Sequence, residues 1–232
     1  MPDQFLAVED VRVCFGKGDA QVRALQGVSA SFKPGTLSLI MGPSGSGKTT
    51  LLSLLGCLLS PDEGKVFVDG VPVNSLGEVQ KAALRRTKVG FIFQAFRLLH
   101  SLSVLDNVAL SLEIRDCGRR QSRNRAQELL LLLGLGGKLN YEIDGLSPGE
   151  KQRVAIARAL AGDPPVLLAD EPTASLDGSA GKNICEILHN QAEQNGKTVV
   201  VVSHDSRWQK YATRTLVLSD GKVRQENEVN AI

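Results

Sequence analysis

A chain of 232 residues can hold one large domain, or one domain with a sizeable insert. Its formal net charge of +2 is too small to indicate binding to nucleic acid or to a membrane by charge alone, and 4% aromatic residues do not favour a stacking surface for single-stranded nucleic acid. Its four cysteines lie far apart in the sequence and match neither a metal-binding nor a disulfide pattern, so we expect buried or inert thiols in a reducing compartment.

The N-terminal segment does not look like a targeting signal. Met1 to Gln4 has neither the basic stretch nor the apolar core of a signal peptide. The longest leucine run, Leu129 to Leu133, is far shorter than the ~20 apolar residues that span a bilayer. We therefore expect a cytoplasmic chain without direct membrane insertion. If it serves a membrane process, another chain must cross the membrane.

Short apolar segments predict strands in the first ninety residues. Leu37 to Met41 runs directly into a glycine-rich loop, and a leucine-rich helix is predicted from Thr49 to Leu59. Asp69-Gly70 predicts a hairpin turn. The other predicted strands are Val8 to Val13, Leu25 to Phe32, Lys65 to Val68 and Val89 to Phe93.

The periodicity becomes helical over residues 95–160, and strands alternate with a helix after that. This order predicts an α/β fold with a mainly parallel sheet that is covered on both faces. We interpret residues 95–160 as a helical insert in a single domain, with residues 1–94 and 161–232 as its core. Residues from Glu226 onward look like a polar tail. The later strands are predicted at Val166 to Ala169, Thr198 to Val202 and Leu216 to Leu218.

Residues 42–49 match the P-loop pattern and stand between a strand and a helix, as that pattern requires. Glycines let successive backbone N–H groups turn inward, and the helix N-terminus adds positive potential, so we favour a phosphate site over a flexible Gly/Ser loop. Lys48 is predicted to reach the β- and γ-phosphates of ATP, and the Thr49 hydroxyl to ligate Mg²⁺. The predicted nucleotide ligands are Gly42, Pro43, Ser44, Gly45, Ser46, Gly47, Lys48, Thr49 and Thr50.

Two later strands are predicted to bring polar side chains to the same edge of the sheet. One leads to Asp170 and Glu171, and the other leads to Ser203 and His204. Ligands bind at the carboxyl edge of open α/β sheets, so we expect Asp170 to contact Mg²⁺ and Glu171 to act as the general base. His204 would hydrogen-bond the γ-phosphate or hold the attacking water. Each pair alone could be an ordinary polar strand end; beside a P-loop we favour the functional interpretation.

Residues 147–150 have the pattern of a helix N-terminus. Ser147 is a favoured cap, Pro148 suits the first helical position, and Glu150 can close a capping box. The simplest interpretation is a well-capped helix. An exposed helix start with serine and glycine can also bind an anion, however.

Taken together, these motifs make the sequence resemble the ABC ATPases. Residues 146–153 resemble the ABC signature, usually written LSGGQ, and the P-loop, Gln94, residues 170–177 and His204 follow in the family's order and spacing from about Val8 to Val223. The resemblance implies a P-loop NTPase core, an antiparallel β subdomain and an inserted helical subdomain. It also implies a head-to-tail dimer of two copies that encloses two ATP molecules.

The resemblance further assigns roles to individual residues. Ser147 and Gly149 would contact the γ-phosphate of the ATP held by the partner's P-loop. Asp177 would lie in the D-loop, residues 175–177, which crosses the dimer interface. Gln94 would contact Mg²⁺ and the attacking water, and Phe15 would stack on the adenine.

Three further expectations concern the two departures from the signature and the contact with a permease. Pro148 stands where the family has glycine, and the helix should tolerate it at its first turn. Glu150 stands where glutamine is usual and adds negative charge near an anion site. Apolar residues of the segment 94–99, Phe96 and Leu98 in particular, are expected to dock a helix of a transmembrane permease subunit.

Residues 90–94, 150–159 and 169–173 resemble one branch of the family, the ATPases of lipoprotein-release, macrolide-efflux, haem-export and cyanobacterial glycolipid-export systems. That resemblance implies an exporter ATPase, peripheral on the inner face of the plasma membrane through its permease, which moves amphipathic or lipid-like cargo. One alternative is a regulator of cell-wall hydrolases similar to cell-division members of the branch. Another is a soluble ABC ATPase of translation or DNA repair, although those carry tandem cassettes or coiled-coil inserts.

Overall fold

Two β-sheets and a group of helices make up the computed structural model, which describes residues 5–228. Met1 to Gln4, which we interpreted as lacking a targeting signal, lie outside the described residues. The last part of the predicted tail lies outside them as well. The strands are β1 (Leu6–Phe15), β2 (Val22–Phe32), β3 (Leu37–Met41), β4 (Glu63–Val68), β5 (Val71–Pro72), β6 (Val89–Ile92), β7 (Val166–Asp170), β8 (Thr198–Val202), β9 (Arg214–Ser219) and β10 (Lys222–Glu228). The α-helices are α1 (Lys48–Leu55), α2 (Glu78–Lys88), α3 (Val104–Glu113), α4 (Arg119–Leu132), α5 (Pro148–Ala161) and α6 (Gly178–Glu193).

The larger sheet has the strand order β10-β9-β3-β8-β7-β6 and is parallel except for β10 at one edge. Every residue of β7 and β8 is buried, as expected for strands covered on both faces. Because neighbouring strands are parallel, their carboxyl ends meet at one edge. The segments that follow β3, β6, β7 and β8 therefore begin side by side.

The smaller sheet is antiparallel, with the order β2-β1-β4-β5. The predicted hairpin between β4 and β5 is present, and both of its turn residues have positive φ, Asp69 at 53° and Gly70 at 73°. Mixed α/β architecture with one mainly parallel and one antiparallel sheet confirms the predicted fold class.

Helices α3, α4 and α5 lie between β6 and β7 in the chain and pack on one another. Their buried faces carry the apolar residues that the periodicity predicted, with Val108 of α3 and Leu130 of α4 fully buried. The first nine residues after Gln94 form no helix. The division of the chain at residues 95 and 160 stays a prediction.

Two local predictions were wrong, and one helix was missed. Helix α1 ends at Leu55 instead of Leu59, and Cys57 beyond it has φ of 54°, which a helix does not accept. Helix α2 was not predicted, because most of its residues are polar and none of them is buried. Glu226 does not start a tail: it lies in edge strand β10, paired with Leu216 of β9 by backbone hydrogen bonds that side-chain polarity does not report.

Strand β6 and helix α5 approach closely at Gly90. A Cβ atom there would lie 2.5 Å from the Ala159 carbonyl oxygen and 2.8 Å from a Leu167 methyl carbon. We therefore expect Gly90→Ala to lower the free energy of unfolding by about 1–3 kcal/mol, because the surrounding backbone must shift. Urea denaturation measures this. Gly137→Ala is the matched control, since no other group lies within 4 Å of the position that its methyl carbon would take, and it should stay within about 0.5 kcal/mol of wild type.

Candidate functional site

The glycine-rich loop of residues 42–49 connects β3 to α1 at the carboxyl edge of the larger sheet. It passes so close to neighbouring strands that side chains are excluded at two positions. A Cβ atom on Gly42 would lie 2.0 Å from the Leu218 carbonyl oxygen, and one on Gly47 would lie 2.4 Å from that of Ala24. Both glycines also have positive φ, 149° and 99°.

Lys48 folds back over this loop. Its Nζ donates hydrogen bonds to the carbonyl oxygens of Gly42, at 2.9 Å, and Pro43, at 2.7 Å. Ser46 is buried, and its Oγ has no hydrogen-bond partner within the described residues. The loop therefore combines a primary ammonium and a helix N-terminus, which suits a phosphate group.

Asp170 ends β7 and is 5% exposed. Its Oδ2 accepts a hydrogen bond from the Thr49 hydroxyl at 3.0 Å. Burial raises the pKa of the Asp170 carboxyl, while the Thr49 hydrogen bond and the Lys48 ammonium act in the opposite direction. A hydroxyl and a carboxylate placed together are the oxygen ligands that Mg²⁺ prefers, so the two residues fit that ion.

Glu171 leaves the strand with a left-handed backbone, φ 48°, while its N–H still donates to the Val202 carbonyl oxygen at 2.8 Å. That turn aims its carboxylate at the segment after β8. Oε2 accepts a hydrogen bond from the Ser203 hydroxyl at 2.8 Å, and Oε1 lies 2.8 Å from Nδ1 of His204. The carboxylate is thus held on both oxygens, and the exposed His204 ring is anchored to it.

One cavity of about 610 Å³ collects most of the predicted site residues. Phe15, 46% exposed at the end of β1, stands at its wall together with Gln94, which follows β6. The predicted residues that line it are Phe15, Gly42, Pro43, Ser44, Gly45, Gly47, Lys48, Thr49, Thr50, Gln94, Asp170, Glu171 and His204.

Of the remaining predicted residues, Ser46 is buried and lines no part of this cavity. Ser147, Gly149 and Asp177 line a second groove of about 380 Å³, which shares no lining residue with the cavity. Ser147 caps α5, Pro148 is at its first turn, and Glu150 closes the capping box, so the predicted helix N-terminus is confirmed. Asp177 caps α6 on the opposite wall and accepts from the Ala180 N–H at 2.8 Å. That backbone hydrogen bond lowers the pKa of Asp177.

Gly149 lets the two walls of this groove approach. A Cβ atom there would lie 3.1 Å from the Ser175 carbonyl oxygen. The start of α5 and the loop of residues 175–177 therefore form one surface.

A hydrogen-bond chain joins the cavity to the groove, and sequence reasoning did not find it. Ser203 binds Glu171 and accepts from the Asp205 N–H at 3.1 Å. The Asp205 carboxylate accepts from Nε of Arg207 at 2.7 Å, and Nη1 of Arg207 donates to the Asp177 carbonyl oxygen at 3.2 Å. Asp205 directly follows the Ser203–His204 pair, but no motif or periodicity marks Arg207.

The docking prediction for residues 94–99 needs a correction. Leu98 is 8% exposed and belongs to the core, so it cannot contact a partner. Phe96 is half-buried and packs against that core. The Arg158 guanidinium holds the segment from below by donating to the carbonyl oxygen of Phe96 at 2.7 Å. Of the leucine pair in this segment, Leu99 is the exposed one, at 46%.

An apolar groove of about 300 Å³ lies beside this segment. Phe91 and Phe93 stack at its base with ring centroids 4.2 Å apart, and exposed Leu58 and Ile114 stand at its rim. Arg97 lies over the Phe93 ring, 4.7 Å from its centroid. Apolar surface with a basic rim suits an amphipathic helix.

Two kinds of feature are absent from residues 5–228. No cluster of three or more histidine, cysteine, aspartate or glutamate side chains there could hold a metal ion. No helix in the same range has the length and apolar character needed to cross a membrane. The four cysteines are free; Cys57 and Cys185 are buried, and Cys14 and Cys117 are partly buried.

Several known proteins resemble this chain. A family model described as ABC transporter matches residues 25–174. The uncharacterised ABC transporter ATP-binding protein MJ0796 of Methanocaldococcus jannaschii is 41% identical over 228 residues, 97% of each chain. A dimeric structure of the ATP-binding cassette MJ0796 in a post-hydrolysis state, bound to ADP and Pi, matches with a TM-score of 0.94 and 39% identity over 98% of this chain and 100% of that one. The macrolide export ATP-binding/permease protein MacB of Bartonella quintana is 39% identical over 225 residues, which are 97% of this chain and 34% of MacB.

Proposed function

The chain is an ATPase that belongs to the ABC transporter ATP-binding family. We propose that two copies of it enclose two ATP molecules and drive a separate permease. The macrolide-export relatives agree with the branch that the sequence resembles. Within that branch, the proposed cargo is amphipathic or lipid-like, and the chain acts at the inner face of the plasma membrane through its permease.

One observation carries the proposal: the site residues lie on two separate surfaces of one chain. The cavity holds Lys48 and Glu171, whereas the groove holds Ser147 and Asp177. A second copy, turned head to tail, would bring its groove over the cavity and complete the site. The dimeric structures of MJ0796, which is similar over its full length, support this arrangement.

The cavity residues suit ATP and Mg²⁺. The loop amides and Lys48 would bind the β- and γ-phosphates, and Lys48 would exchange its two carbonyl partners for phosphate oxygens. Thr49, Asp170 and Gln94 would hold Mg²⁺. That ion, when bound, neutralises charge that develops on the phosphates. Phe15 would stack on the adenine.

Glu171 is the proposed general base. Its carboxylate is fixed by Ser203 and His204, so its orientation is set before a water molecule arrives. A carboxylate held this way can take a proton from water that attacks the γ-phosphate. His204 would keep its second ring nitrogen for the γ-phosphate or the water.

Glu171→Gln tests the role of Glu171 as the general base. Glutamine keeps the size of the side chain and removes the base, so turnover should fall by about 10²–10⁴-fold while ATP still binds. The loss of a negative charge beside the phosphates should also let a dimer persist in ATP. Phosphate release and sedimentation with ATP measure the two effects. Lys48→Ala added to this variant should abolish the trapped dimer, and near-normal hydrolysis by Glu171→Gln would refute the general-base role.

The permease is proposed from the family and from the apolar groove. The name of the MacB protein joins an ATP-binding part to a permease, and this chain matches about a third of its length. The rim residues Leu58 and Ile114 are exposed although they are large and apolar, at 47% and 53%. A helix of the permease that covered them would remove this surface from water.

Ile114→Asp tests the docking groove. A charge at its rim should abolish co-purification of the tagged chain with an integral membrane protein from membranes of the source organism. Leu131→Asp is the matched control: Leu131 is 57% exposed on α4 and does not line the groove. Because Ile114 does not line the nucleotide cavity, ATP affinity should stay within about twofold. Equal loss of the partner in both variants would contradict the assignment of this groove.

A further inference from the structure

Glu150 places a carboxylate at the N-terminus of α5, beside the residue proposed to contact the partner's ATP. Its Oε2 accepts hydrogen bonds from both the backbone N–H and the hydroxyl of Ser147, each at 3.0 Å. The N–H groups at a helix start attract anions, and a carboxylate nearby repels an arriving phosphate. The cap that orders this helix start therefore also weakens it as a phosphate site.

Lys138 opposes this repulsion from a different part of the chain. It ends a short 3₁₀ turn, Gly136–Lys138, and its Nζ lies 2.6 Å from Oε1 of Glu150. Oε2 of Glu150 thus takes part in the helix cap, and Oε1 takes part in the ion pair with Lys138. The Lys138 hydrogen bond is the largest cause that lowers the pKa of Glu150, to about 2. Glu150 is therefore ionised at neutral pH, and an ammonium group, instead of a proton, balances its charge.

The charges around the groove show why this balance matters. Glu150 and Asp177 are the carboxylates of its lining, and Arg153 is its cation. Lys138 supplies the second positive charge by its contact with Glu150. Without Lys138, two carboxylates would face one guanidinium where the triphosphate of the second copy is proposed to enter.

We propose that Lys138 is a positioning residue of the shared ATP site, which holds Glu150 in its capping geometry and cancels its charge so that the γ-phosphate can approach the start of α5. This inference rests on the proposed function, because only a site completed by a second copy brings a phosphate to Ser147. The pair also explains how glutamate can stand where glutamine is usual in the signature: the added charge has its own counter-ion.

The test measures the ATP concentration that gives half-maximal dimer, by sedimentation, with every chain carrying Glu171→Gln. Lys138→Ala should raise this concentration by about two- to tenfold, as expected for one uncompensated charge at a helix N-terminus. Lys138→Arg should stay near the parent. Glu150→Gln should lower the concentration, because glutamine still closes the capping box but carries no charge.

The double variant Lys138→Ala/Glu150→Gln distinguishes an effect of Lys138 on the charge of Glu150 from an effect on the stability of the fold. If Lys138 acts by cancelling the charge of Glu150, then Glu150→Gln should return the Lys138→Ala protein to within about twofold of the parent. If Lys138 only stabilised the fold, the defect would remain in the double variant. A defect that persists, or no defect in Lys138→Ala, overturns the proposal.

Two controls keep the result specific. Lys88 and Asp69 form an ion pair of the same length, 2.6 Å, with similar exposure, far in sequence from the signature. Lys88→Ala should leave the half-maximal concentration unchanged. Binding of labelled ATP to the monomer, which depends on Lys48, should not change in Lys138→Ala. If the Glu171→Gln parent itself forms no dimer in ATP, the proposed function fails, and this inference fails with it. That outcome differs from the one in which the parent dimerises and Lys138→Ala leaves the half-maximal ATP concentration unchanged.

Discussion

The register of three parallel strands is the constraint on which the rest of the structure depends. Ile40 of β3 pairs with Val202 of β8, and Asp170 of β7 pairs with the same residue, so the three strands end within one residue of one another. The chain leaves each strand at the same edge, which is where open α/β sheets bind ligands. A one-residue shift of β7 would turn the Asp170 side chain to the other face of the sheet. All residues of β7 and β8 are buried.

This edge builds only part of a catalytic site. It supplies the phosphate loop, the buried Asp170 and the fixed Glu171, but the capped helix start at Ser147 lies in another groove. The hydrogen-bond chain through Asp205 and Arg207 connects these two regions within one chain. In the proposed dimer, this chain of hydrogen bonds would link Glu171, the general base of one ATP site, to the loop of residues 175–177, which would face the other ATP site.

Sequence reasoning succeeded where side-chain pattern and structure coincide. The bounds of β3 and β8 were predicted to the residue because buried parallel strands are continuously apolar, and the capping box was predicted because its residues are three apart. Helix α2 and strand β10 were missed, since both consist mostly of polar residues and neither has a continuous apolar run. The Lys138–Glu150 pair and the role of Arg207 could not be predicted either, because tertiary folding alone brings those residues together. Leu98 was placed on the surface because composition does not reveal which side of a loop faces the core.

The most direct test of the central claim, that two copies share each ATP site, mixes two inactive variants. Lys48→Ala should disable the ATP site of its own chain, and Ser147→Arg that of its partner, so each homodimer should be inactive. A mixed dimer collects both changes in one site and leaves the other intact. Mixing should therefore restore ATP hydrolysis or, if the two sites must act together, retention of ATP when both chains also carry Glu171→Gln. Recovery of neither hydrolysis nor retention would contradict the shared site and leave Ser147 as a helix cap alone.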